Sequence, residues 1–233
     1  MTPADRRWPW PTDTPAAAPF TPAAGYRLLT PLYDALVATF TRENTWRNAF
    51  VTQIAPAADD VLVDLGCGTG SMLVRLAKAA PDACLTGIDP DPEILRHAHR
   101  KAASTGSSLH LLEGFGHDAA ALLGGRRATK VLSSLVLHQV PLAEKHAILA
   151  AAYDLLAPGG ELHIADYGRQ TRLAMRLLFR LTVQMVDGVV DTGPQARGIL
   201  PDMIAEAGFT DVVETRAFDT PTGTIRLYRG SRR

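Results

Sequence analysis

Val61-Leu-Val-Asp-Leu-Gly-Cys-Gly-Thr-Gly70 is the most informative segment of this chain. An apolar run that ends in three alternate glycines, Gly66, Gly68 and Gly70, predicts a buried parallel strand that turns sharply into a helix. Glycine is needed in such a loop because the backbone must approach a ligand in conformations that a Cβ atom would forbid. A second apolar strand ends at Asp89, where a carboxylate can accept hydrogen bonds from both hydroxyls of a ribose.

The spacing of these glycines differs from that of dinucleotide-binding proteins. Gly-x-Gly-x-Gly is one residue shorter than the Gly-x-Gly-x-x-Gly fingerprint, in which a helix N-terminus faces a pyrophosphate. The acid Asp64 precedes the first glycine by two positions, and its carboxylate would repel a pyrophosphate but suits a cationic ligand. Asp64, the glycine triplet and Asp89, in this order, resemble the nucleotide-binding motif of class I S-adenosylmethionine (SAM) methyltransferases, whose ligand carries a sulfonium and an ammonium.

This resemblance implies SAM as the cofactor and a set of residues that bind it. Asp64 would lie near the methionine amino group, and Asp89 would hold the ribose. The third motif reads Gly114-Phe-Gly116 where the family commonly has Gly-Asp-Ala, so its backbone would contact the adenine and its phenyl ring would flank the base. Asp118 and His117 are alternative polar partners of the adenine, or cap the next helix. The implied cofactor-binding residues are Asp64, Gly66, Cys67, Gly68, Gly70, Asp89, Pro90, Phe115, Gly116 and Ser134.

Candidate catalytic groups follow the fourth and fifth predicted strands. His138 would reach over the transferable methyl group, and its unperturbed pKa near working pH suits a general base. Asp166 and Tyr167, at the end of the fifth strand, are the second candidates. Two alternatives stay open: His138 hydrogen-bonds the loop below it in a structural role, or methyl transfer needs no base because alignment with an activated leaving group supplies much of the rate.

The segment 169–195 is predicted as a helical insertion between the fifth and sixth strands. Its apolar positions form a broad surface, and arginines recur beside it at four-residue spacing. The resemblance implies a substrate lid that accepts an apolar or aromatic small molecule, whereas packing on the body or on a second subunit is the alternative. The arginines are either solvated or clamp an anionic group. The main apolar face holds Leu173, Ala174, Leu177, Leu178, Leu181 and Met185, the arginines are Arg172, Arg176 and Arg180, and the expected substrate contacts are Tyr33, His138, Met175 and Phe179.

The rest of the chain sets the domain plan. Residues 1–24 are rich in proline and alanine and are predicted to be a disordered arm, and 25–56 form N-terminal cap helices of a methyltransferase domain over 25–233. Strands alternate with helices, which predicts an α/β fold with a doubly wound parallel sheet. A hairpin signal near the end resembles the antiparallel seventh strand of the methyltransferase sheet.

Composition narrows the function classes. The formal net charge is zero, so we expect no nucleic-acid partner, and the Asn/Asp-Pro-Pro-Tyr/Phe signature of base-flipping methyltransferases is absent from the sequence. Two cysteines are too few for a disulfide framework or a zinc site, and we expect no metal. The sequence has no secretory signal and no long apolar run, so we expect a cytoplasmic protein without membrane association. A homodimer is compatible with the sequence. An RNA-modifying methyltransferase, a SAM-bound catalyst of rearrangement and a non-enzymatic scaffold are the rival classes.

Overall fold

The structure, a computed structural model, describes residues 43–233. The predicted arm, the first cap helix and the expected substrate contact Tyr33 lie outside the described residues.

Seven strands form one mixed sheet: β1 (Val61–Leu65), β2 (Cys84–Asp89), β3 (His110–Glu113), β4 (Ala128–Ser134), β5 (Leu156–Tyr167), β6 (Thr210–Thr220) and β7 (Gly223–Ser231). Their order in the sheet is β3-β2-β1-β4-β5-β7-β6. The strands from β1 to β5 pair in parallel, and β7 runs antiparallel to both β5 and β6. The predicted fold class is confirmed, including its antiparallel last strand.

Helices cover both faces of this sheet. Those in the described residues are α1 (Glu43–Ile54), α2 (Ser71–Ala79), α3 (Pro92–Thr105), α4 (Ala119–Leu122), α5 (Leu142–Leu155), α6 (Leu173–Leu181), α7 (Val183–Asp187), α8 (Val189–Arg197) and α9 (Leu200–Glu206). On one face Ile148 of α5 and Met203 of α9 pack on the sheet, and on the other face Trp46 and Phe50 of α1 do so. The strand order reverses between β1 and β4, which places the ligand cleft at their carboxyl ends.

The start of β5 differs from the prediction. The sequence Ala157-Pro-Gly-Gly160 predicts a turn that separates α5 from the strand, but β5 follows α5 directly at Leu156. Its register against β4 moves from Leu156 opposite Ala128 to Glu161 opposite Lys130, so β5 advances five residues while β4 advances two. The proline and glycines therefore bulge within the strand, because Gly159 has a φ of 81° that regular strand pairing does not allow.

The insertion after β5 also differs from the single lid helix that we expected. It divides into α6, α7 and α8, because Thr182 at φ −118° and ψ −80° and Gly188 at φ 82° both leave the helical region. α6 and α7 bury Phe179 and Val183, which lie outside the predicted main apolar face. That face points outward instead, with Leu173 79% and Met185 75% exposed.

Candidate cofactor and active site

The three glycines of the loop after β1 have positive φ angles, but each is glycine for a different reason. A Cβ atom at Gly66 would lie 2.4 Å from Cγ2 of Val136, and one at Gly70 would lie 3.2 Å from Cβ of Ala98. A Cβ atom at Gly68, where φ is 53°, would meet no protein atom within 4 Å. Packing therefore accounts for the outer glycines, whereas Gly68 faces the space where a ligand would lie against the backbone.

Cys67 supplies only its backbone to the loop. Its amide N–H donates to the Ile88 carbonyl at 3.0 Å, and its side chain is buried beneath β2, where a Cβ atom on Gly87 would lie 2.7 Å from Sγ. Burial raises the pKa of the Cys67 thiol, and the nearby Asp64 and Asp89 raise it further. The thiol is consequently a packing group here and not a nucleophile.

Asp89 closes the rim of the cleft from the end of β2. Its carboxylate accepts the Gly68 N–H at 2.9 Å and the Asp91 N–H at 3.0 Å, one on each oxygen. Burial raises the pKa of Asp89, and these two hydrogen bonds oppose that shift. Each oxygen keeps a further lone pair for a ribose hydroxyl, and the half-buried Pro90 follows at the rim.

Asp64 has the feature that fits the cofactor best. Its side chain is fully buried, and neither carboxylate oxygen has a hydrogen-bond partner among the described residues. Burial raises the pKa of Asp64 to about 7, the charge of Arg47 opposes this shift, and Asp89 adds to it. An unpaired buried carboxylate is costly, so the site suits a ligand that brings a positive charge and N–H donors. The ammonium of SAM has both properties.

Sequence reasoning missed Arg47, which lies on α1 close enough to Asp64 to affect its pKa. The Arg47 guanidinium forms an ion pair with Glu43 of the same helix. Burial lowers the pKa of Arg47, while Glu43 and Asp64 oppose that shift. No sequence motif identifies Arg47 as a site residue, because it comes close to Asp64 only through the tertiary packing of α1 against the glycine loop.

The expected adenine contacts lie after β3, beside β2. The Phe115 ring stacks on His117 with centroids 5.3 Å apart and an interplanar angle of 6°. His117 also contacts Glu144 of α5 at 2.5 Å, so its imidazole is engaged within the protein. Gly116 leaves little space for a side chain, because its Cβ atom would lie 3.3 Å from Cγ1 of Ile148. Asp118 makes no side-chain capping bond to the helix that follows.

Ser134 ends β4 half-buried, and the backbone turns sharply after it. Leu135 has a φ of 58°, an uncommon conformation for leucine, and its N–H donates to the Ala165 carbonyl at 2.9 Å. The neighbouring Ser133, which sequence reasoning did not single out, donates its hydroxyl to the Leu65 carbonyl at 2.8 Å. The turn places Val136 against the glycine loop and starts the short 3₁₀ turn that carries His138.

The structure brings the three candidate catalytic residues together. His138 Nδ1 lies 2.7 Å from Oδ1 of Asp166, and the His138 ring meets the Tyr167 ring edge-on at 4.9 Å. The Asp166 carboxylate also accepts the N–H groups of His138 at 3.3 Å and Tyr167 at 2.7 Å. These contacts fix the orientation of the imidazole, so that Nε2 faces away from Asp166.

Asp187 of α7 is a further member of this cluster that sequence reasoning missed. Its Oδ2 lies 3.5 Å from Nε2 of His138, so the imidazole stands between two carboxylates. Burial would lower the pKa of His138, but Asp166 and Asp187 outweigh it and raise the pKa to about 9. The available signal in the sequence was modest: Asp187 is the first of only two acids in the segment 169–195.

Met175 and Phe179, the two residues of the insertion that we expected to contact substrate, lie in different environments. Phe179 is buried, and its ring lies 5.3 Å from the Tyr167 ring. It forms part of a cleft between α6, α7 and α8, and Met175 is not among the residues that line this cleft. In the range 43–233, no helix is long and apolar enough to cross a membrane, and no three His, Cys, Asp or Glu side chains group to hold a metal ion.

Known proteins resemble this chain in sequence and fold. Residues 62–160 match the family model of a methyltransferase domain. The demethylmenaquinone methyltransferase of Thermus thermophilus is 28% identical over 223 residues, which cover 88% of this chain and 98% of that relative. The solved O-methyltransferase family protein of Burkholderia thailandensis has a TM-score of 0.67 at 21% identity; the match covers 90% of this chain but 61% of that one, so this chain spans about three fifths of its length.

A structure with a bound cofactor product is also similar. The magnesium protoporphyrin IX methyltransferase of Synechocystis PCC 6803, solved with SAH, has a TM-score of 0.62 at 18% identity, with 86% of each chain covered. These similarities agree with the geometry of the glycine loop, the Asp89 carboxylate at the end of β2 and the buried Asp64, which has no hydrogen-bond partner among the described residues. The chain is a class I methyltransferase, and S-adenosylmethionine is its cofactor.

Proposed function

We propose that the protein transfers the methyl group of SAM by in-line displacement to an oxygen, nitrogen or carbon atom of a small apolar or aromatic metabolite, with His138 as general base. SAM supplies a methyl group on a positively charged sulfur, which is already an activated leaving group. Asp64 would hold the ammonium, and Asp89 would hold the ribose. We infer a cytoplasmic location for this activity, and a homodimer stays a prediction.

The observation that carries this proposal is the hydrogen bond of 2.7 Å between His138 Nδ1 and Asp166. It directs Nε2 toward α7, where an acceptor could present its proton. A carboxylate behind an imidazole fixes the tautomer and stabilises the cation that forms when Nε2 takes a proton.

Asp187 would have to move away from Nε2 before His138 could accept a proton. While its carboxylate lies beside Nε2, the pKa of His138 is about 9 and the imidazole is charged at neutral pH. A charged imidazole cannot accept a proton. The acceptor would therefore displace Asp187 from Nε2, which lowers the pKa of His138 at the moment when the nucleophile arrives.

The test follows a labelled methyl group. The protein is incubated with methyl-labelled SAM and an extract of the cells that encode it, and label is measured separately in the small-molecule and RNA fractions. We expect label among small molecules together with formation of S-adenosylhomocysteine. Label in RNA would assign the protein to the rival nucleic-acid class. If SAM is not consumed and neither fraction is labelled, the result would contradict methyl transfer.

Two variants, Asp89→Asn and His138→Gln, separate cofactor binding from catalysis in this assay. Asp89→Asn keeps the size of the side chain but removes the charged acceptor for the ribose, so SAM affinity should fall by about 2 kcal/mol in calorimetry. His138→Gln should keep SAM affinity and lower turnover by about a hundredfold. A loss of only a few fold, with an unchanged pH profile, would leave His138 as a structural residue.

A further inference from the structure

The insertion forms an open cleft whose lining is basic as well as apolar. Its volume is about 810 Å³, within the range of small-molecule sites. Of the three arginines at four-residue spacing, the structure turns Arg176 and Arg180 toward this cleft, whereas Arg172 is outside it and pairs with Asp219 at 2.9 Å. Two more arginines, Arg169 and Arg197, complete the basic lining.

Within residues 43–233, these four arginines lack a countercharge. No acidic residue lines the cleft, and none of the four forms an ion pair with a residue in the described range 43–233. Four like charges around one concave space repel each other and raise its positive potential, which an anion would relieve. Guanidinium groups bind carboxylate and phosphate oxygens with paired, charge-assisted hydrogen bonds.

Two of the four arginines, Arg176 and Arg169, are held by contacts with the surrounding fold. Nε of Arg176 donates to the Gln170 carbonyl at 2.8 Å. The buried Gln170 side chain in turn accepts the Thr224 N–H at 2.8 Å and donates to the Gly168 carbonyl at 2.7 Å, which ties the cleft to β7. This network orients the Arg176 guanidinium before a ligand arrives.

Arg169 is positioned by its backbone and its stem. Its carbonyl accepts two hydrogen bonds from the Arg226 guanidinium, at 3.0 and 2.8 Å. Its side-chain stem crosses Gly198, where a Cβ atom would lie 2.9 Å from Cβ of Arg169. The glycine at the end of α8 thus leaves room for the arginine to reach the cleft.

The cleft also has an apolar side, and one of its residues, Phe179, packs against the cluster that contains His138. Phe179, Met185 and Val189 line it together with the arginines. The Phe179 ring contacts Tyr167, whose ring contacts His138, so the cleft adjoins the carboxyl end of β5. A ligand with a charged group and an apolar body matches both parts of this lining.

We propose that this cleft binds the negative charge of an amphipathic organic anion, a carboxylate or phosphate on an apolar or aromatic body, and thereby selects the methyl acceptor. The inference rests on the proposed small-molecule methyltransferase function. It narrows the acceptor from apolar metabolites in general to those that carry a negative charge away from the methylated atom.

The binding test uses two fluorescent probes that differ in one charged group. 8-Anilinonaphthalene-1-sulfonate carries a sulfonate on an aromatic body, and N-phenyl-1-naphthylamine has the same rings without it. The double variant Arg176→Gln with Arg180→Gln should weaken binding of the sulfonate probe by about tenfold or more and leave the neutral probe within about twofold. Arg172→Gln, which removes an arginine of the same stripe from outside the cleft, should change neither affinity.

The outcomes separate this inference from the proposed function. Equal sulfonate-probe affinity in the wild type and in a double variant that still binds SAM would overturn the cleft inference alone. The single variant Arg197→Gln, on a different helix, repeats the test if the double variant does not fold. In the methyl-transfer assay the labelled product should be retained by an anion-exchange column; a neutral labelled product would confirm methyl transfer and overturn the anionic acceptor.

Discussion

At the scale of single residues, side chains with the same sequence signature have different physical roles. The glycine triplet reads as one motif, yet Gly66 and Gly70 are required by packing against Val136 and Ala98, and Gly68 faces open space. The two motif acids also diverge. Asp89 is satisfied by backbone N–H groups, whereas Asp64 is buried with no hydrogen-bond partner among residues 43–233.

Gly68→Ala should lose SAM affinity while the protein stays folded. Gly106 is the matched control, because it has a similar φ of 66° and its Cβ atom would also meet nothing within 4 Å, but it lies at the end of α3 away from the cleft. Alanine at either position should cost about 1 kcal/mol of unfolding free energy. Only Gly68→Ala should weaken SAM binding, by roughly tenfold or more, because the methyl group occupies ligand space. Equal SAM affinities in calorimetry would show that Gly68 does not contact the cofactor.

At the scale of elements, short helices of the insertion bring chemistry to the sheet. α7 has only five residues, but it places Asp187 beside Nε2 of His138, the ring nitrogen that does not contact Asp166. α5 contributes the buried Lys145, whose Nζ donates to the carbonyls of Val140 and Asp191 and so joins α5 to α8. The insertion is thereby attached by polar contacts to the edge of the sheet that carries His138, while much of its aliphatic surface is exposed.

Asp187→Asn should lower the pKa of His138 from its value near 9 toward its ordinary value, because one of the two facing carboxylates loses its charge. The imidazole signal of His138, assigned with His138→Gln, can be titrated by NMR. Since the folded pKa is raised above the ordinary value, the pairing stabilises the fold fully below about pH 6.5 and is lost as the pH rises through about 9. Asp191→Asn, in the same insertion, should leave the titration unchanged. An unmoved pKa in Asp187→Asn would remove Asp187 from the cluster.

At the scale of the whole molecule, the cofactor site has a cost in stability. Asp64 keeps its proton up to about pH 7 in the folded state, whereas an ordinary aspartate loses it near pH 4. The folded state therefore binds more protons than the unfolded state between these values, and the free energy of unfolding falls as the pH rises through this window. The ammonium of SAM would offset this cost in the complex.

Asp64→Asn should make the ligand-free protein more stable at pH 7 and should weaken SAM binding. The shift of about three pKa units corresponds to about 4 kcal/mol between pH 4 and pH 7, measured by urea unfolding at several pH values. Asp60→Asn is a control of opposite sign: burial would raise the Asp60 pKa, but its bonds to Lys130 and Thr129 lower it, so this variant should be less stable above about pH 4. A wild type and Asp64→Asn variant with parallel pH curves would contradict a raised Asp64 pKa.

The order of elements and the position of the cofactor motif could be read from the sequence. Strand periodicity, glycine spacing and the acids at strand ends are local signals, and backbone sterics and parallel pairing allow few arrangements for them. The bulge in β5 escaped prediction, because a proline and glycines in the chain look the same whether they end a helix or interrupt a strand.

The fold class and the cofactor could both be inferred from the sequence alone, because their signals are local motifs and strand periodicity. Three features depend on tertiary packing: which face of the insertion is buried, the contact of Asp187 with His138, and the orientation of Arg176 and Arg180 toward a cleft that Arg172 does not line. The reason is physical. A repeating pattern specifies which residues share a face of a helix, but the direction of that face depends on breaks such as Thr182 and Gly188 and on contacts with distant parts of the chain.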